Sequence, residues 1–405
     1  MKKAMTLALG ILTSVGGFFD VGNIATCTQA GARFRFQLIW ALLLATLVVI
    51  VLVEMSGRFA AVTKKALPDA IREHFGFGFW LVPFIILTLI HILVLGAEIG
   101  GICFALHLVT GLPLQVWALP VAILLWVFLW RATFSTIENS TSLLGLITLC
   151  FVVATIWLHP PTHDLLQGAV PSMPSKNPEN YWFIAVSIIG AVIAPYLFYF
   201  YSSGAVEDEW DPSYIPVNRA VAVIGMGFGS IVSLGAIIVA GVVLAPRGIH
   251  VDDYHQAALM LTQAFPYWGY VLFAVSMGVA CLGAATEVAL SMSYTFAQTF
   301  GWNWGENLNP AEDARFSLVY TISLLLGSLF MLAGVDPLKL TLLTMAISAA
   351  VLPVVAIPML LLMNDRKLLR DAANGIFSNL ATAAIVLLTL VLAVVSIPLA
   401  VVGGS

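Results

Sequence analysis

Runs of about 20 mostly apolar residues, the length an α-helix needs to cross a bilayer, recur along almost the whole of this sequence. That repetition leaves few folds open. In hydrocarbon every backbone N–H and C=O has to be satisfied internally, which a helix does within its own segment and an open sheet or loop does not. Charged residues make up only 9% of the chain, against roughly 25% in a soluble domain, so most of its surface faces lipid. We expect an all-α polytopic membrane protein with eleven spans, at 5–31, 36–57, 79–110, 115–131, 134–158, 181–205, 217–245, 267–299, 315–335, 338–363 and 373–402. The start, Met1-Lys2-Lys3 before an apolar run, imitates a signal peptide. It carries Asp20 and lacks a small-residue cleavage pattern, so it reads as the first span. Lys64–Phe75 reads as a short interfacial stretch and the Pro-rich segment from His159 to Asn180 as an ordered loop outside the membrane.

Loop charges set the expected orientation. With the N-terminus in the cytoplasm, Lys2, Lys3, Arg58, Lys64, Lys65, Arg72, Arg131, Arg219, Arg315, Arg366, Lys367 and Arg370 lie inside. Only Arg33, Arg35, Lys176, Arg247 and Lys339 lie outside, which satisfies the positive-inside rule. The net charge of −4 is small and dispersed, and implies no nucleic-acid partner. Cys27, Cys103, Cys150 and Cys281 sit in apolar segments without a CxxC pair, so neither a disulfide framework nor a zinc cluster is expected. No HExxH or GxSxG motif appears, and an enzyme is not expected. Neither a cofactor nor an obligate protein partner is implied.

Two spans are interrupted. The first contains Gly16-Gly17 and then Asp20-Val21-Gly22-Asn23; the sixth contains Ala194-Pro195 after Gly190. They open two five-span halves, 5–158 and 181–363, of one transporter domain, with 373–402 as an extra span. An odd number of spans inverts the second half relative to the first, and paired broken helices in matching positions point to a substrate site at mid-membrane. Asp20, about midway through its span, is costly in lipid and so is expected to face a polar cavity. With Asn23 it offers hard oxygen donors suited to Mg²⁺, Mn²⁺ or Ca²⁺. Gly22 permits an unwound backbone there. The alternative is that Asp20 merely caps a half-helix beginning at Ile24.

The stretch Asp20 to Phe34, DVGNIATCTQAGARF, resembles the signature of the Nramp divalent-metal transporters. So do Gly96–Pro113, Gly190–Ser203 and Leu352–Leu369, matching the family's third, sixth and tenth spans. The resemblance implies a LeuT-like fold of inverted five-helix repeats, a divalent metal ion as substrate, and a multi-pass protein of the bacterial inner membrane. It also implies a metal shell made by Asp20, Asn23 and the carbonyls of Gly17 and Ala191, with Ala194 and Tyr196 beside it. Glu98 and Arg315 are its candidates for a proton or gating role; Glu287, an acid inside the eighth span, is a further candidate by position alone, a salt bridge or a helix-end place being the alternative. The departures carry information. The family's Met-Pro-His in the sixth span is Ala194-Pro195-Tyr196 here, a further histidine is Tyr201, and a tenth-span glutamine falls at Met345. Losing the thioether leaves an all-oxygen set, which favours Mg²⁺ with Mn²⁺ also accepted. This pattern is similar to the Nramp-related magnesium transporters. Losing the histidines argues against proton coupling. A proton-coupled Mn²⁺ and Fe²⁺ transporter and a metal-responsive sensor without flux remain the alternatives. His91 and His107 read as packing or helix–helix hydrogen-bonding residues, and Thr26 and Thr28 as bonded to backbone.

Overall fold

The computed structural model describes residues 19–131, 143, 145–174, 177–305, 310 and 313–403. Gly17, one of the expected carbonyl donors, lies outside the described residues, as do Glu138 and Asn139, which the sequence places near the start of the fifth span as an interfacial or gating group. The chain folds almost wholly into helices: α1 (Val21–Phe34), α2 (Ile39–Thr63), α3 (Leu67–Phe75), α4 (Phe77–Thr110), α5 (Leu114–Arg131), α6 (Cys150–Leu158), α7 (Thr162–Gly168), α8 (Pro178–Val192), α9 (Pro195–Glu207) and α10 (Ile215–Val243). There follow α11 (Tyr254–Ala258), α12 (Gly269–Phe300), α13 (Ala314–Leu332), α14 (Pro337–Met363), α15 (Arg366–Leu369) and α16 (Ile376–Gly403). Among the described residues, nine helices are long and apolar enough to cross a membrane, with α8 and α9 counted as one. The expected spans 5–31 and 134–158 fall only partly within the described residues, as α1 and as a helix ending in α6. The protein is a multi-pass integral membrane protein. Its outward faces carry Leu47, Val82, Leu89, Ile123 and Leu387, all more than half exposed, as side chains bathed by lipid tails would be.

Local chemistry explains where the elements stop. Pro195 has no N–H, so the ladder of α8 cannot run through it, and the residue before a proline is pushed out of the helical region. Ala194 accordingly is extended, at φ −64° and ψ 126°, and Ile193 leaves the helix at φ −106° and ψ 57°. Pro195 then takes the first position of α9, where its missing N–H costs nothing. Asp336 caps α14 by accepting from the Lys339 N–H at 2.9 Å, again with a proline next in line. The stretch Lys64–Phe75 holds a short helix, α3, which buries Leu67, Pro68, Ala70 and Ile71. The Pro-rich loop contains α7 and is tied back by Tyr181, whose hydroxyl donates to Ser172 O at 2.9 Å.

The two broken elements lie at the centre. α1 packs against α10 and α8; α9 packs against α2 and α12; α14 runs alongside α8 and also touches α1. Among the described residues, α4 and α12 share the most extensive interface and bring Glu98 and Glu287 inward.

Candidate ion-binding site

The site begins at Asp20. Its backbone is extended, at φ −111° and ψ −175°, and the helix starts one residue later. Asp20 Oδ1 accepts from the Asn23 N–H at 2.8 Å and from Asn23 Nδ2 at 3.0 Å. The capping geometry is therefore real, but the half-helix begins at Val21, three residues before the expected Ile24. Val21, Gly22 and Asn23 form its first turn instead of an unwound stretch, because the cap supplies a partner for one of the four N–H groups that a helix start leaves open. Capping does not exhaust the carboxylate. It has two oxygens and about four lone-pair sites, and one oxygen makes both contacts to Asn23. The cap fixes the direction of the group. Asn23 is tied at its other end too, since its Oδ1 accepts from Ser233 Oγ on α10 at 3.2 Å. Thr26 bonds to the Gly22 carbonyl at 2.8 Å as expected, whereas Thr28 turns to the Met260 sulfur at 3.6 Å.

Gly22 serves close approach. A methyl group built there would lie 2.6 Å from Met345 Sδ, so the thioether of α14 rests directly on the first turn of α1. Gly190 does the same on α8, where a methyl would lie 2.0 Å from the Met345 carbonyl oxygen. One residue of α14 thus touches both broken spans. The expectation of an all-oxygen surround changes as a result. The sixth-span position is Ala194, which has no ligating side chain, but a sulfur arrives from the tenth span. Asp20 is only 2% exposed, where a carboxylate facing an open cavity was expected. In this conformation the group is shut away from bulk water.

The second break supplies carbonyls. Pro195 cannot donate to the carbonyl four residues earlier, that of Ala191, which frees it as an oxygen donor at the end of α8. Ala191, Ala194 and Tyr196 are all buried. The Tyr196 carbonyl accepts from Ser291 Oγ on α12 at 3.3 Å. Tyr196 lies within electrostatic reach of Asp20, Glu98 and Glu287 together, and Glu98 within reach of both other acids. Glu98 is fully buried, with Oε2 facing the Val21 N–H at 3.4 Å and the Cys281 thiol beside it. Three acids and the sixth-span tyrosine thus converge on one region. Among the described residues no three His, Cys, Asp or Glu side chains form a ready-made metal cage, so carbonyls, Met345 and water would have to complete a shell.

Arg315 stands apart, exposed at the start of α13 with its guanidinium 5.7 Å from the Trp302 ring centre. Tyr201 also lies elsewhere, donating to Asn218 Oδ1 at 2.9 Å. Two residues at the site were not anticipated there. Met345 was noted only as a substituted position, and no periodicity distinguishes a site-facing methionine from a packing one. His91 was assigned to packing. It bonds Leu87 O at 2.6 Å and Ser291 Oγ at 3.0 Å, as that assignment requires, but its ring also lies 6.1 Å from that of Tyr196. An imidazole therefore stands next to the sixth-span break, brought there by the third span.

Comparison with known proteins adds to this geometry. The family described as Nramp, natural resistance-associated macrophage protein-like, matches residues 10–398. The divalent metal cation transporter MntH of Brucella suis biovar 1 (strain 1330) is 25% identical over 300 residues. That match spans 70% of this chain and 64% of the relative's length. Among solved structures, a manganese transporter of Eremococcus coleocola superposes with a TM-score of 0.78 at 20% identity, covering 96% of this chain and 85% of that one. Mhp1, a nucleobase-cation-symport-1 family transporter, gives 0.64 at 17% identity, covering 97% and 92%. At these identities the structural likeness speaks for the fold, which is the LeuT-like one expected.

Proposed function

The chain belongs to the Nramp family, and from that premise we propose that it moves divalent metal ions across a membrane by alternating access. The observation that carries the reading is the buried Asp20 carboxylate, capped by Asn23, within electrostatic reach of Glu98 and Tyr196 and two residues from the Gly22 that Met345 covers. Acids gathered in a dry site repel one another, and a doubly charged ion offsets that repulsion. Asp20 supplies charge; Asn23, the Ala191 carbonyl and water complete the shell; Tyr196 lines it. The two five-span halves rock around this point, so that the closed arrangement opens to either side in turn. The names of the Brucella relative and the Eremococcus neighbour, a divalent metal and a manganese transporter, support the same cargo.

The donor set bears on which ion is carried. Ala194 in place of a thioether favours Mg²⁺, which keeps much of its water and prefers oxygen. Met345 restores a sulfur beside Gly22, a contact that a transition ion uses and Mg²⁺ scarcely does. That observation favours Mn²⁺, with Mg²⁺ as the second cargo. Transport is downhill and uncoupled from protons in this proposal, since the family's sixth-span histidines are Tyr196 and Tyr201 here and both nitrogens of the neighbouring His91 are already engaged, with Leu87 O and Ser291 Oγ. The membrane is the bacterial inner membrane and the N-terminus is cytoplasmic. The test is uptake by purified protein in liposomes, with Mg²⁺, Mn²⁺, Ca²⁺ and Fe²⁺ in competition and a pH dye inside. Mn²⁺ and Mg²⁺ entry without acidification is expected. Absence of flux with intact ion binding would mark a sensor, and metal-driven acidification would mark a proton-coupled carrier.

A further inference from the structure

Away from the central site, two histidines from distant parts of the chain meet at the end of α4 remote from Phe77. His107 lies in the last turn of α4 and His255 in α11. Their Nε2 atoms face each other at 3.1 Å. Each Nδ1 is already engaged: that of His107 with Leu112 O at 2.7 Å, that of His255 with the Tyr270 hydroxyl at 2.8 Å. A carbonyl only accepts, so His107 carries its proton on Nδ1 and presents a bare lone pair at Nε2. Once His255 carries its proton on Nδ1, donating it to the Tyr270 hydroxyl, both Nε2 atoms are free to ligate, each ring held through its second nitrogen as in metal-ligating histidines. The spacing fits as well. Two Zn–N bonds of ~2.05 Å span 3.1 Å when they meet at about 98°, between a right angle and a tetrahedral one. Phe104 steadies both rings, its centroid 5.4 Å from that of His107 and 5.0 Å from that of His255. Asp253, at the start of α11, lies within electrostatic reach of Tyr270 and adds a negative field on the same side.

We propose that His107 and His255 form a second cation site, for a transition ion that prefers imidazole, such as Zn²⁺ or Ni²⁺, with water in the remaining positions. Mg²⁺ is excluded by its demand for oxygen. The site lies on the membrane side opposite the one expected for the N-terminus. A bound ion pins the end of α4 to the segment carrying α11. That segment also grips α1, through Gln29 Nε2 to Val251 O and Thr28 Oγ1 to Met260 Sδ. A bridge there hinders any relative movement of α4 and α1, so Zn²⁺ acts as an inhibitor of ion uptake. This last consequence rests on the transport reading; the binding does not.

Zn²⁺ binding by the purified full-length protein tests the proposal, measured at pH 7.5 against a chromophoric chelator. Asp20→Asn is the background, to silence the central site. One Zn²⁺ per chain is expected. His255→Gln, an exposed change on a short helix, should lose it. Tyr270→Phe removes only the partner of Nδ1 and should weaken it by about 10–100-fold. Unchanged Zn²⁺ stoichiometry in His255→Gln and His107→Gln would overturn the proposal. So would no binding in the Asp20→Asn background, which would leave a hydrogen-bonded pair running from Tyr270 through both rings to Leu112.

Discussion

Replacing Gly190 with alanine puts the packing of the site under direct load. The added methyl would sit 2.0 Å from the Met345 carbonyl oxygen and 3.0 Å from both the Met345 carbonyl carbon and the Ala349 nitrogen. Ordinary contact for such atoms is about 3.4 Å, so the backbone of α14 has to retreat from α8 by roughly 1.4 Å. The obstacle is helix backbone on both sides, which cannot swing aside as a side chain does. Overpacking of this kind costs about 1–3 kcal/mol, which corresponds to a fall in Tm of roughly 2–10 °C in a large chain. Met345 moves with α14, and its sulfur leaves Gly22. Misplacement of a site by ~1 Å can cost up to 100-fold in rate. Thermal unfolding in detergent and Mn²⁺ uptake in liposomes should both fall. Gly204→Ala is the matched control: no atom stands within 4 Å of its added methyl. On helix propensity alone it should gain up to ~1 kcal/mol. If Gly190→Ala keeps wild-type Tm and uptake, the two helices do not meet where this structure brings them, and the placement of Met345 between the breaks is wrong.

Other perturbations follow from the same geometry. Met345→Leu nearly conserves volume and removes the sulfur; the Mn²⁺-to-Mg²⁺ uptake ratio should fall several-fold, and an unchanged ratio would deny the thioether a place in the shell. Asp69, on α3, has its carboxyl pushed up to about 6 by burial, against the pull of Arg72 at 3.3 Å. A raised acid binds its proton more tightly folded than unfolded. Its contribution is therefore fully present below ~4 and is lost as the pH climbs through about 6. Asp69→Asn should remove that slope from a plot of Tm against pH, and a slope that persists would place its origin elsewhere.

Much of the architecture was legible because lipid imposes it. Spans announce themselves by length and apolarity, and Pro195 marks its own break, since a missing N–H interrupts a ladder wherever it falls. Asp20 was legible for a similar reason: an acid at mid-span needs an explanation. What the sequence withheld is lateral. Whether Asn23 belongs to an unwound strand or to a first turn depends on one hydrogen bond, from its own N–H to Asp20 Oδ1. Met345 looks like any apolar residue of α14, and only the facing glycines, Gly22 and Gly190, reveal what it covers. His107 and His255 are separated by 148 positions, so no spacing rule could pair them. Gly190 sits inside α8, where its lack of a side chain lets α14 approach, a role that no sequence pattern assigns.

The central claim is that Asp20 binds the ion and does not only cap a helix, and Asp20→Asn separates the two roles. Asparagine caps as well as aspartate does, so α1 and the overall Tm should survive while the charge is lost. Measured in liposomes beside wild type, Mn²⁺ and Mg²⁺ uptake by this variant should drop to the level of empty vesicles, with no ion-induced rise in Tm. Uptake at the wild-type rate from a folded Asp20→Asn protein would show that the carboxylate is a cap alone and that the ion passes elsewhere.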